Sequence, residues 1–277
     1  MRILHPTDFS AASEKALLVA RQLRDLLAAE LVLLHAIEYP VRHKVYGDYW
    51  DELLEKSFEE KRAELIRYLK QKLTELEPRA EHRLDEGKPL EVILKHAQEA
   101  DLVAMGTTGA EGLIERFLGT VTERVIELSG KPVVATNANA EVGPFRHLLV
   151  ATGLAEPSLK ALALAKRIAD AAGARITLLH AVEPIPEPPL PVHMPDPSEI
   201  LGEDYMEKLA KQLAEVAAPY GAVPVIREGH PAEVICGFAK EEAVDAVFIG
   251  RSKTARYLGS VTRQVIEQAR RPVFVHP

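Results

Sequence analysis

The chain is nearly without cysteine. Cys236 stands alone among 277 residues, which excludes an intrachain disulfide and a thiolate metal cluster. It falls within PAEVICGFA, an apolar helical pattern in which a thiol reads as buried and inert. No apolar stretch approaches the roughly 20 residues that span a bilayer, and no membrane contact is expected. The opening MRILHPTDFS carries one basic residue and no long apolar segment, so it does not read as a signal peptide. Lys and Arg form no sustained basic face, which argues against a nucleic-acid partner. There is no GxxxxGK[ST] phosphate loop, no defensible Ser/His/Asp arrangement and no metal-ligand spacing among His5, His82 and His96. What is present is a hydrophobic fraction of 47% and a formal charge of −7, suited to an acidic, well-cored cytoplasmic protein.

The chain is written twice. LVLLHAIE at Leu31–Glu38 returns as ITLLHAVE at Ile176–Glu183, an offset of 145. EGKPLEVI at Glu86–Ile93 returns as EGHPAEVI at Glu228–Ile235, and KPVVAT at Lys131–Thr136 as RPVFVH at Arg271–His276, at offsets of 142 and 140. Matches in one order with slowly drifting offsets indicate duplication of a whole domain followed by small deletions. The junction lies in NANAEVGP, Asn137–Pro144, and domains of 1–140 and 141–277 are expected.

Within each copy, short apolar runs alternate with longer helical patterns. In the first copy RILHP, LVLLHAI, EHRLDEG, DLVAMG and PVVAT read as strands. Ser13–Leu27, Asp51–Leu76, a segment opened by Pro89, and Thr120–Ser129 read as helices. This alternation implies an α/β protein with a parallel sheet and helices on both faces. Tyr39–Trp50 and the proline-rich Pro184–Pro197 read as spacer loops rather than lids.

An open parallel sheet binds ligands at the carboxyl ends of its strands, where the strand order reverses. In copy one PTDFS, HAIE and MGTTGAEGLIERFLGT reach that edge, placing Asp8 opposite Gly106 if strands one and four flank the switch point. Gly106 and Gly109 are expected to turn the backbone at positive φ and to present successive amides to an anion. Gly119 and Thr120 then open a helix whose first amides favour the same charge. A ligand-free alternative stands beside this: Thr120 with Glu123 spells a capping box. Glu111, Glu115 and Arg116 lie in the loop, so its side chains would not neutralise a triphosphate. His35 and His180 recur at equivalent strand ends, favouring a hydrogen bond to backbone over catalysis.

Gly106, Gly109, then nine residues, then Gly119–Thr120, taken with PTDFS, LLHAIE and VTERVI…KPVV, resembles the universal stress protein family over the whole chain, as a tandem member. The resemblance implies two Rossmann-like domains, each a five-stranded parallel sheet, paired through their last strands, here PVVAT and PVFVH. It implies ATP in copy one, with Thr7 and Asp8 near the ribose and a Mg²⁺ ion on Asp8. It implies Ala36, just past strand two, in the adenine pocket, and Gly106, Gly109, Gly119, Thr120, Val121 and Thr122 around the phosphates. Copy two departs from the pattern. Gly153 replaces Asp8, Lys253 replaces Gly109, and nine steps rather than thirteen separate Gly250 from Gly259, so tight nucleotide binding is expected to be lost there. The expected role is an ATP-binding stress-response regulator with unidentified protein partners and a possible homodimer. A slow Mg-dependent ATPase or phosphotransferase and a nucleotide-free scaffold or chaperone-like protein are the alternatives.

Overall fold

The computed structural model describes residues 1–38, 48–107, 118–183, 204–251 and 257–277, with 48–57 described by backbone only. The two loops read as spacers fall largely outside these residues, as do Gly109, Glu111, Glu115, Arg116 and Lys253.

In chain order, the first copy runs β1 (Arg2–Pro6), α1 (Ala11–Leu27), β2 (Glu30–Ile37), α2 (Asp48–Leu76), β3 (Glu81–Glu86), α3 (Pro89–Ala97), β4 (Leu102–Gly106), α4 (Thr120–Leu128) and β5 (Val133–Thr136). The second runs β6 (His147–Ala151), α5 (Glu156–Ala172), β7 (Arg175–Val182), α6 (Tyr205–Ala217), a short 3₁₀ turn (Ala218–Tyr220), β8 (Val223–Glu228), α7 (Pro231–Glu241), β9 (Ala246–Gly250), α8 (Ser260–Gln268) and β10 (Val273–His276). Among the described residues no helix is long and apolar enough to cross a membrane.

Local chemistry accounts for the element ends. Ser10 caps α1 by accepting from the Ser13 amide at 3.2 Å. Pro89 and Pro231 sit at the first turns of α3 and α7, where no intrahelical N–H is needed. The left-handed residue ending α5 is Gly173, whereas the equivalent residue ending α1 is Ala28, at φ 48°.

The strands form one sheet in the order β3-β2-β1-β4-β5-β10-β9-β6-β7-β8. Within each half every pairing is parallel, and the halves meet through an antiparallel pairing of β5 with β10, where Phe274 lies opposite Val134. Pairing through the last strands leaves neither with an open edge. Phe274 stacks on Phe248 at 4.3 Å between centroids and meets Phe145 edge-on at 6.3 Å, so an aromatic group of the second half lies beside the boundary strand. One core layer unites the α3, α4, α7 and α8 face of both halves, and a second unites the α1 and α5 face. Neither half has a private core.

In each half the order reverses between two strands leaving in opposite directions, β1 beside β4 and β6 beside β9. Those reversals position the sites.

Candidate functional site

The turn after the first strand is built identically in both copies. The Thr7 amide donates to Leu34 O at 2.8 Å and Thr152 repeats this toward Leu179 O at 2.9 Å. The Phe9 amide donates to Thr7 Oγ1 at 3.1 Å, as Leu154 does to Thr152 Oγ1 at 2.9 Å. His35 Nδ1 donates to Thr7 O at 2.7 Å and His180 Nδ1 to Thr152 O at 2.8 Å, the backbone role their recurrence suggested. Phe9 and Leu154 both adopt left-handed backbone, at φ 61° and 60°. Asp8 and Gly153 therefore occupy one position of one turn, and the carboxylate is absent from the second copy.

The hydroxyls beneath this turn are wired differently. In copy one Ser13 donates to Thr7 Oγ1 at 2.9 Å, shorter than its 3.4 Å contact with His5 Nε2. Thr7 Oγ1 already accepts from Ser13 and Phe9, so its own hydrogen is left to donate outward. In copy two Ser158 gives its hydrogen to Ala155 O at 2.7 Å, and Thr152 must donate to Ser158 across 2.9 Å. The first copy thus offers a donor that the second spends internally. His5 is fully buried and donates through Nδ1 to Ala104 O at 2.8 Å, and burial lowers its pKa from 6.5 to about 4, leaving the ring neutral. Val150 occupies its place in copy two.

A cavity of about 450 Å³ opens at the β1/β4 reversal. Thr7, Asp8, Ala36, Gly106, Gly119, Thr120, Val121 and Thr122, drawn from three separated segments, all line it. Ala36 belongs to β2, paired with Asp85, rather than following the strand. Sequence reasoning missed Ser13, Thr107, Ile93 and Met105, which also line the cavity. The recurrence of Ser13 as Ser158 at the offset that relates Thr7 to Thr152 was a usable signal for the first of these.

Two expectations are corrected. Gly106 is absent from the positive-φ residues, so it makes no left-handed turn. A Cβ there would lie 2.7 Å from both Ala12 C and Ser13 N, and one on Gly250 would lie 2.3 Å from Ser158 N. Both glycines let the first helix of their domain press against the end of the fourth strand. The capping box is not formed either. Gly119 is the N-cap of α4, with no side chain to cap, and Glu123 pairs with Arg263 of the other half. The box fails because Thr120 sits inside the helix, one residue past the cap. The first intrahelical bond runs from the Glu123 amide to Gly119 O at 3.0 Å, which leaves the Thr120, Val121 and Thr122 amides facing outward.

The remaining bonds stiffen this corner. The Thr122 hydroxyl donates to Gly106 O at 2.7 Å, and the Gly119 amide to Thr107 O at 2.5 Å. The Asp8 carboxylate accepts from the Ser10 amide at 3.0 Å through Oδ1, which orients its second oxygen. Elsewhere, His82 and His96 are engaged with Glu77 O and Asp85. Cys236 is half-buried rather than buried, and desolvation raises its thiol to about 11, which makes it unreactive at neutral pH.

A domain model described as the universal stress protein family matches residues 1–137 and again 144–277. The chain belongs to the universal stress protein family. It is a tandem member, two such domains in succession. Universal stress protein MJ0577 of Methanocaldococcus jannaschii is 33% identical over 150 residues, covering 48% of this chain and 92% of that protein. A universal stress protein of Thermus aquaticus is 34% identical over 134 residues, covering 48% and 95%. Over the full length, the crystal structure of a universal stress protein from Archaeoglobus fulgidus has the same fold, with a TM-score of 0.70 at 24% identity, covering 99% of this chain and 97% of that one.

The chemistry of the lining fits a nucleotide. Its volume lies in the range of ordinary ligand pockets, about 300–1,000 Å³. Leu34, Ala36, Ile93 and Met105 supply an apolar wall of the kind a base requires, and the open amides at the start of α4 would favour an anion. Among the described residues no group of three or more carboxylates, histidines or cysteines could hold a metal unaided. Asp8 fits a Mg²⁺ that arrives already carried by phosphate oxygens, the usual way this ion is shared between protein and nucleotide.

Proposed function

We propose that this universal stress protein binds ATP in its first domain and acts as a regulator in the stress response, the second domain serving mainly as its structural partner. The observation that carries the reading is the convergence of Thr7, Asp8, Ala36, Gly106 and Gly119–Thr122 on one cavity. Thr7 offers its hydroxyl hydrogen to the sugar, and the Thr120–Thr122 amides take phosphate oxygens with the α4 dipole behind them. Bound Mg²⁺ would neutralise the phosphate charge that the lining leaves uncompensated, with Asp8 as its protein ligand. The second domain keeps the turn and the helix but carries Gly153 in place of the carboxylate and spends the Thr152 hydrogen on Ser158.

The test is calorimetric titration of nucleotide-stripped protein with Mg-ATP, followed by a long incubation assayed for ADP. The expected result is about one ATP per chain, lost in Gly109→Lys, which installs the residue of the second copy. Two equivalents would give the second domain a live site. No binding would overturn the reading, and ADP formed beyond one equivalent would make the protein an enzyme.

A further inference from the structure

The helix that closes the first domain's cavity is held from outside its own domain. Leu118 immediately precedes the N-cap of α4, and its amide donates to Glu267 Oε1 at 3.3 Å; Glu267 lies in the last turn of α8. The next amide, Gly119, donates to Thr107 O. Two consecutive N–H groups thus tie the chain entering α4 to Thr107, just past β4, on one side and to the second domain on the other. The three outward amides of α4 follow at once.

The residue before the N-cap of α8 is held the same way. The Leu258 amide donates to Glu127 Oε1 at 2.8 Å, and Glu127 lies in the last turn of α4. Leu118 and Leu258, and Glu127 and Glu267, are equivalent residues 140 positions apart, so the residue before each N-cap is braced by the last turn of the other half's helix. Packing alone does not call for carboxylates here. Both leucines are buried at 6% exposure and the Glu127 side chain at 2%, where a carboxylate is costly unless it accepts hydrogen bonds. Glu127 accepts two, from Leu258 and from Arg124 Nη1 at 2.9 Å.

We infer that Glu267 is a positioning residue for the first domain's anion site, so that the second domain completes a site it does not line. The inference rests on reading that cavity as a phosphate site. By fixing the backbone one residue before the N-cap, the Glu267 carboxylate sets the direction in which the Thr120, Val121 and Thr122 amides project. The linkage also runs in reverse. Phosphate held on those amides acts through Leu118 on Glu267 and α8, so occupancy of the first domain bears on domain pairing with no ligand in the second.

The test uses the full chain carrying Glu267→Ala, Glu267→Gln or Glu127→Ala, each checked by circular dichroism for a retained fold. Losing a hydrogen bond to a charged acceptor corresponds to about a tenfold change or more. Glu267→Ala is expected to weaken Mg-ATP binding by about tenfold, whereas Glu267→Gln, which keeps an acceptor oxygen, stays within about threefold of wild type. Glu127→Ala breaks the matching brace on Leu258 and is expected to leave affinity within about threefold. In nucleotide-free protein, exchange of the hydrogen-bonded Leu118 and Gly119 amides is expected to quicken about tenfold in Glu267→Ala and to stay unchanged in Glu127→Ala. Equal losses in Glu267→Ala and Glu127→Ala, or unchanged exchange in Glu267→Ala, would overturn the inference. If wild type binds no ATP while exchange behaves as stated, the brace stands and the ATP reading falls. If wild type binds ATP and Glu267→Ala changes neither affinity nor exchange, the ATP reading stands and the brace falls.

Discussion

Glu123 and Arg263 occupy the same position of the repeat, 140 residues apart, and they pair with each other across the domain boundary. In a symmetric pair of identical domains that position would face its own copy, and like charges would meet. Because the two copies differ here, the position forms an ion pair instead. The side chains are 17% and 39% exposed, so the pair is partly screened and is expected to contribute about 1 kcal/mol. A double-mutant cycle with Glu123→Gln and Arg263→Gln, read by urea unfolding, measures it. Arg263→Glu should cost more than Arg263→Gln, and the exchanged pair Glu123→Arg with Arg263→Glu should recover most of the loss. A coupling below about 0.3 kcal/mol would remove the pair from the account of domain matching.

Gly106 and Gly250 give a prediction about packing. An added Cβ would press on the backbone of α1 or α5, which cannot turn aside as a side chain tip can. Gly106→Ala and Gly250→Ala should each destabilise the nucleotide-free protein by about 2–3 kcal/mol in urea, the Gly250 change by at least as much as the other. If only Gly106→Ala had an effect, and only with nucleotide present, a ligand role would replace the packing role.

Ala28 ends α1 in left-handed backbone at φ 48°, where its counterpart Gly173 meets no such cost. Ala28→Gly should therefore raise stability by about 0.5–1 kcal/mol, an unusual sign for a change to glycine. Gly173→Ala should lower it by a similar amount. Thermal melts of the two variants check both signs.

His5 sets a pH dependence. Burial holds its folded pKa near 4 against an ordinary 6.5; the bond to Ala104 O and the nearby Asp8 act the other way, and Arg21 adds to the lowering. Below pH 6.5 the unfolded chain takes up a proton that the folded chain refuses until about pH 4. Stability from this residue is complete above pH 6.5 and falls as pH drops toward 4, by about 2–3 kcal/mol between pH 7 and 4.5. His147, also lowered by burial, contributes with the same sign. His5→Val, the residue of the second copy, should flatten the slope of unfolding free energy across that window. An unchanged slope would show that His5 accepts its proton without unfolding.

The sequence by itself determined the duplication, the strand and helix order, and the edge of the sheet where three segments of the first copy gather. These follow from periodicity and from signals a few residues long, such as Ser10 before α1 and Pro89 opening α3. It also told the two copies apart at Asp8 and Gly153. Only the tertiary structure decided what the neighbouring groups do. Gly106 looked like a turn residue because a glycine after a strand usually is one; the reason for it is the backbone of Ala12 and Ser13, brought there by the crossover of α1. Thr120 and Glu123 had capping-box spacing, but the helix starts one residue too early for the box, and Glu123 is claimed by Arg263 from the other half. Among the described residues the Thr7 hydroxyl accepts from Ser13 whereas the Thr152 hydroxyl donates to Ser158, because hydroxyl geometry, invisible in a Thr…Ser spacing common to both copies, differs between them. Glu127 and Glu267 read as ordinary helical carboxylates. Their role arises only when β5 and β10 pair antiparallel and bring residues 149 and 131 positions apart within a hydrogen bond.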